Sequence, residues 1–85
     1  MKLTTVSGTA ESFRAGFARA FAAPVLARQK GSTARFAYTR ARTDGTWQLQ
    51  LPPGDYQVGV EQTGCSFQPV HVESGKPVTG VALGC

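Results

Sequence analysis

The chain is short, rich in turn-forming residues and positively charged. Its 85 residues include 10 glycines and 5 prolines, and the formal net charge is +4. No apolar run reaches membrane-spanning length, which excludes a transmembrane helix. A domain this small buries only about 60–65% of its unfolded surface, which excludes a large core. The composition favours short strands joined by turns.

The first quarter of the chain holds one clear strand and one ambiguous segment. Threonine and valine predict a strand over residues 3–8. Phe13, Phe17 and Phe21 recur every four residues, a spacing that fits one face of a helix and also one face of a strand. We expect an extended segment over residues 16–22, because the rest of the chain consists of strands. A short helix across one end of the sandwich is the alternative.

The next stretch is rich in arginine and aromatic residues. A short strand is predicted over residues 25–29. Residues 35–42 alternate without a clean apolar face, which predicts a strand near the edge of a sheet, where charges discourage aggregation. Aromatic rings interleaved with arginines can stack on sugars or bases, although the same residues also serve as ordinary sheet packing. The tentative binding residues are Arg35, Phe36, Tyr38, Arg40 and Arg42.

The strongest pattern is T-D-G-T-W-Q-L-Q-L-P-P-G-D-Y over residues 43–56. Apolar residues alternate with polar ones from Trp47 onwards, which is typical of a half-buried strand and places Trp47 in the core. Pro52-Pro53-Gly54 ends this strand, because proline offers no ladder N–H. A second alternating run begins at Tyr56. We expect the two runs to form an antiparallel hairpin at the centre of the fold.

Two further strands complete the chain. They are predicted over residues 67–73 and 78–83, with a tight turn at Ser74-Gly75-Lys76 that makes them a hairpin. All segments together predict an all-β fold, a small antiparallel β-sandwich of about seven strands.

The motif that begins at Asp44 resembles the signature hairpin of the carboxypeptidase regulatory-like, or transthyretin-like, β-sandwich domains. In that family, Asp-Gly leads into a strand, followed by Leu-Pro-Pro-Gly and an aromatic residue that opens the next strand. The resemblance implies one immunoglobulin/transthyretin-like domain over residues 1–85, acting as an accessory, adhesive or spacer module. Tyr56 resembles a tyrosine corner, whose hydroxyl binds back to the turn backbone.

The two cysteines allow one disulfide. Cys65 and Cys85 each lie ten positions from Gly75, so a hairpin centred there would place them opposite each other, near disulfide distance. Such a bond indicates an oxidising compartment. Two independent thiols are the alternative.

No catalytic, metal or cofactor site is predicted. His71 is the sole histidine, and its neighbours Val70 and Val72 should face inward, so we expect His71 on the outer face. Glu73 and Gln68 are its candidate partners by proximity. A zinc site is not expected, because zinc takes four protein ligands or three plus water, and only His71 could join the two cysteines. No phosphate-binding glycine motif is present.

Charge is distributed unevenly: no acidic residue lies between Glu11 and Asp44, and the basic residues concentrate there. We expect a non-enzymatic module that acts in binding, adhesion or spacing, with an unidentified protein or carbohydrate partner. The alternative is a stand-alone basic protein that binds nucleic acid or anionic glycan through residues 14–42; nucleic acid is the less favoured ligand. No signal peptide is visible, so we expect either a domain of a larger extracellular or cell-envelope protein or a cytoplasmic protein.

Overall fold

The computed structural model describes residues 3–14, 17–62 and 65–84, with the side chains of residues 13–20 outside that description. Within these ranges the chain forms eight strands and no helix. The strands are β1 (Thr4–Arg14), β2 (Phe17–Ala20), β3 (Pro24–Gln29), β4 (Ala37–Arg40), β5 (Thr46–Leu51), β6 (Gly54–Val60), β7 (Phe67–Val72) and β8 (Val78–Gly84).

The strands are arranged in two sheets. Sheet A has the order β2-β1-β5, with β8 also paired to β1, and sheet B has the order β4-β3-β6-β7. Every pair is antiparallel except β1–β8, which is parallel. The predicted all-β sandwich is confirmed, with eight described strands where about seven were expected and with one parallel pair among the antiparallel ones.

The core lies between the inward faces of the two sheets. In β5 the exposed and buried residues alternate strictly, as a strand with one wet face requires. Valine and leucine dominate the core, and burying each such side chain contributes about 1.5–3 kcal/mol. The largest fully buried side chains are Leu51, Val6, Val25, Val58, Val60 and Val72.

The predicted hairpin around Pro-Pro-Gly is wrong, because β5 and β6 lie in different sheets. β5 pairs with β1, and β6 pairs with β3 and β7. The segment between them is therefore a corner that carries the chain from sheet A to sheet B. Pro52 has no N–H for a ladder, and Gly54 has a φ of 154°, which suits the change of direction.

The predicted hairpin around Gly75 is also wrong, although the turn itself is present. Gly75 has a φ of 75°, and one isolated bridge joins Glu73 to Lys76. Beyond this bridge β7 continues in sheet B, whereas β8 crosses to sheet A and runs parallel to β1. Gly8 permits this pairing, because a Cβ at that position would collide with the carbonyl oxygen of Val81.

The ambiguous segment near the N-terminus is extended where it is described. β1 continues to Arg14, beyond the predicted end at residue 8, and pairs with β2. The alternative of a short helix is therefore wrong for residues 10–14 and 17–22. Phe21 packs against the core, whereas the side chains of Phe13 and Phe17 lie outside the described ones.

Candidate functional site

An aromatic and aliphatic row crosses the outer face of sheet B. Leu26 in β3 pairs with Tyr38 in β4 and with Gly59 in β6, and Gly59 pairs with Phe67 in β7. One register row thus spans all four strands. Leu26 is buried yet lies outside the core cluster, which indicates that its neighbours in the row cover it. We call Tyr38, Leu26, Gly59 and Phe67 the aromatic row.

A guanidinium group stacks on the ring at each end of the aromatic row. Arg28 lies 3.9 Å from the ring centroid of Phe67, and Arg35 lies 4.8 Å from that of Tyr38. Contacts of this kind contribute about 0.5–1 kcal/mol at exposed sites. These contacts place a cationic group next to an aromatic ring at each end of the row, and planar or sugar ligands bind to such rings as well.

The predicted binding residues do not all contribute to this surface in the same way. Arg35 and Tyr38 belong to it, and Tyr38 is 43% exposed. Phe36 is equally exposed, at 44%, and its ring centroid lies 5.4 Å from that of the buried Tyr56. Arg40 follows Tyr38 on β4 and donates to the carbonyl of Ala22 at 3.2 Å.

Arg42 lies beyond β4, in the turn that leads to β5. With Arg40 it lines an open groove of about 680 Å³ between β4 and sheet A. Asp44 lies on the same groove, and the hydrogen bonds from Thr46 lower the pKa of its carboxyl group. The groove therefore carries charges of both signs.

Glu61 neutralises part of the basic character of the surface. The Nη2 atom of Arg35 lies 2.5 Å from each carboxylate oxygen of Glu61. Both side chains are about half exposed, at 52% and 40%, so the pair contributes little to stability. Its effect is to hold the Arg35 guanidinium against Tyr38.

Arg28 and Phe67 are the residues of this surface that the sequence did not single out. Phe67 is far from residues 35–42 in the chain, and the register of sheet B brings it beside Arg28. A signal was nevertheless present at Gly59, which interrupts a run of valines in β6. An isolated glycine in a strand marks the close approach of another group.

Trp47 and Tyr56, which the sequence assigned structural roles, both lie inside the sandwich. Trp47 is 4% exposed and Tyr56 is 3% exposed. The Tyr56 hydroxyl donates to the carbonyl of Pro52 at 2.7 Å and so ties the start of β6 to the corner. Burial raises the pKa of this hydroxyl.

His71 lies on the outer face of β7 between two carboxylates. Its Nδ1–H donates to Asp55 at 2.6 Å, and its Nε2 lies 3.4 Å from Glu73. The hydrogen bond to Asp55 raises the pKa of the imidazole above the ordinary value of 6.5. Glu73 was anticipated as a neighbour, whereas Asp55 was not, because it comes from β6.

The arrangement around His71 favours a charged, paired imidazole over a catalytic one. Lys76 binds the other side of Glu73 at 2.9 Å, which extends the charge chain along the surface. Among the described residues, no group of three or more His, Cys, Asp or Glu side chains is arranged to hold a metal ion. The described part of the chain also contains no helix that is long and apolar enough to cross a membrane.

The predicted disulfide involves a residue outside the description. Cys65 is partly buried and packs against the core, whereas Cys85 lies outside the described residues. The hairpin that motivated the pairing is absent, but β7 and β8 still diverge from one turn. The start of β7 and the end of β8 therefore lie at the same end of the sandwich, and the bond stays a prediction.

The sequence matches no protein-family model and no curated protein. Among solved structures, the chain is similar to a minor pilin of the gram-positive pathogen Streptococcus agalactiae, with a TM-score of 0.65 and 13% identity. The match covers 98% of this chain and 44% of the pilin chain, so this chain spans less than half of that protein. At such low identity the likeness shows the β-sandwich fold alone, and the finer resemblance to carboxypeptidase regulatory-like domains stays a prediction.

Proposed function

We propose that this chain is a non-enzymatic binding module that contacts an anionic glycan through the outer face of sheet B. The observation that carries the proposal is the aromatic row, with a guanidinium stacked on the ring at each end. Sugar rings stack on exposed aromatic faces, and guanidinium groups bind sulfate or carboxylate substituents through paired N–H donors. A row that spans four strands offers an extended contact of the kind that a polymer requires.

Other features support a module of this class. The sandwich fold is shared with a minor pilin, which favours a place in an extracellular or cell-envelope assembly. Both ring nitrogens of His71 lie near carboxylates, an arrangement that serves charge pairing better than activation of a nucleophile. Adhesion or accessory binding within a larger protein is the role we infer.

Binding to two polymers of one backbone tests the proposal. We expect dextran sulfate to bind and neutral dextran not to bind, with an affinity that falls steeply with salt as counterions are released. Tyr38→Ala should weaken binding about 5- to 100-fold, the range seen when a stacked aromatic is removed, whereas Tyr38→Phe should retain most of it. Lys76→Gln removes one cation outside the row and measures what the loss of charge alone costs.

The outcomes separate this proposal from its rival. Single-stranded DNA that binds as tightly as dextran sulfate, with the same sensitivity to Tyr38→Ala, would favour a nucleic-acid-binding protein. A loss in Lys76→Gln with no loss in Tyr38→Ala would show that charge alone drives binding. The aromatic row would then have no role in recognition.

A further inference from the structure

The hydrogen-bonding pattern of β5 determines which of its peptide groups face solvent. The N–H of Ala10 donates to the carbonyl of Gly45, so Gly45 faces β1. Because peptide groups alternate along an antiparallel strand, Trp47, Leu49 and Leu51 also face β1. The intervening residues Thr46, Gln48 and Gln50 turn their peptide groups to the free edge.

Both ends of this free edge are satisfied within the chain. The carbonyl of Thr46 accepts from Arg42 at 2.8 Å, and its N–H donates to Asp44 at 3.0 Å. At the other end, Pro52 has no N–H, and its carbonyl accepts from the Tyr56 hydroxyl.

Between these ends, the peptide groups of Gln48 and Gln50 are open. Among the described residues, no hydrogen bond reaches the N–H or C=O of either residue. The groove of about 680 Å³ borders Gln48, so the edge is accessible from solvent.

The other edge strands carry features that block pairing, whereas β5 carries none. β2 and β4 have only four residues each, and β4 ends in Arg40. β7 contains Pro69 within the strand, and β8 has a register shift near Gly80, whose φ is 72°. Short length, charge, proline and bulges are the devices that protect sheet edges. The sequence of β5, TWQLQL, has no charge, proline or glycine.

We propose that β5 pairs with β5 of a second copy of this chain, antiparallel about a two-fold axis at Leu49. In this register Gln48 lies opposite Gln50 of the second copy, and each such pair exchanges both N–H···O bonds. The open groups thus meet open groups, while Thr46 lies opposite Pro52, where neither residue needs a partner. This inference rests on the edge of sheet A and is independent of the proposed glycan site.

Side chains and charge agree with the same register. Directly opposed residues share one face of a sheet, so glutamines meet glutamines on the solvent face and Leu49 meets Leu49 on the core side. The chain carries a formal net charge of +4, which opposes self-association along a charged edge. A strand without charged residues is therefore where two copies can approach most closely.

Two double variants with different charge patterns across the axis test the register. Gln48→Lys with Gln50→Lys places lysine opposite lysine across the axis, and Gln48→Lys with Gln50→Glu places lysine opposite glutamate. Both variants remove the same contact between Gln50 and Thr5. Sedimentation equilibrium of the whole chain at low salt should show a dimer in the wild type. The first variant should raise the dissociation constant at least about tenfold, and the second should lower it or leave it unchanged.

Circular dichroism of each variant should match the wild type, which separates loss of pairing from loss of fold. Gln48→Pro offers a second check, because it removes an N–H that bonds to no other described residue, and proline is tolerated at solvent-facing edge positions. It should give a folded monomer. A wild-type chain that stays monomeric at about 1 mM would overturn the proposal, because only a very weak dimer is dissociated at that concentration. A dimer that survives equally in both lysine-containing variants would overturn it too.

Discussion

The ring of Phe67 lies directly over the backbone of Gly59, so that a Cβ on Gly59 would come within 2.8 Å of Phe67 Cγ. Gly59→Ala should therefore displace Phe67 and destabilise the protein by about 1–3 kcal/mol, as overpacking does. Urea unfolding measures this change. In the Phe67→Ala background the same substitution should cost less, leaving mainly the clash with the carbonyl oxygen of Ser66 at 2.9 Å. Equal costs in both backgrounds would mean that Phe67 does not constrain Gly59.

Trp47 is the bulkiest side chain of the buried face of β5. Trp47→Ala should lower the free energy of unfolding by about 3–5 kcal/mol, a large part of the stability of a small domain. The indole N–H is buried without a partner among the described residues, so Trp47→Phe should cost distinctly less. Gln48→Ala, on the exposed face, should change stability by less than about 0.5 kcal/mol. Wild-type stability in Trp47→Ala would contradict the core assignment.

Alternation identified the inner and outer faces of β5 and β6 but not their partners. The period-two pattern of Trp47 and Leu49 depends only on which side chains are buried, and it is the same for a hairpin and for a corner between sheets. Pairing is decided by contacts far apart in sequence, such as Trp47 with Gly8. The strand β8 was predicted, but its parallel pairing with β1 was missed for the same reason, since its partner lies near the other end of the chain.

The candidate site shows the same division between local and distant information. Arg35 and Tyr38 are close in sequence, and an edge strand with polar faces was sufficient to mark them. Phe67 joins them only through the register of sheet B, and Gly59 was the one local sign of its position. The sequence predicts which residues are exposed on a strand more readily than which exposed residues become neighbours.

The Tyr56 hydroxyl holds the corner between the sheets. Tyr56→Phe removes its hydrogen bond to the carbonyl of Pro52 and should lower the free energy of unfolding by about 0.5–1.5 kcal/mol. Tyr38→Phe removes an exposed hydroxyl and is the matched control, with no expected change. Both are measured by chemical denaturation. Equal effects of the two substitutions would argue against a role for the corner hydrogen bond.

His71 is the sole histidine of the chain, so the protonation of the charged group that it forms with Asp55 and Glu73 can be measured directly. The pKa of His71 in the folded chain is raised above 6.5, first by the hydrogen bond to Asp55. The contribution of protonated His71 to folding stability is therefore fully present below pH 6.5, and it is lost as the pH rises through the pKa of the folded state. One imidazole signal in an NMR titration should report this pKa, and Asp55→Asn should lower it. An unchanged pKa in that variant would show that Asp55 is not the cause.

The last prediction is a disulfide between Cys65 and Cys85 that joins the two sheets. β7 belongs to sheet B and β8 to sheet A, so the bond would fasten one sheet to the other at the end remote from Gly75. A closed loop of about 20 residues gives roughly 3 kcal/mol in the chain-entropy model. About 1 kcal/mol moves the Tm of a domain this size by roughly 4–8 °C, so reduction should lower the Tm by at least about 10 °C.

Cys65→Ser tests this bond without reductant. The variant should melt at the temperature of the reduced wild type, and reductant should not lower its Tm further, because no other cysteine pair exists in the chain. Ellman's reagent should find no thiol in unfolded wild-type protein that was purified under oxidising conditions. Two titrating thiols would exclude the bond. The inference of an oxidising compartment would then lose its chemical basis, since an inter-sheet disulfide persists only where reducing systems do not reach it.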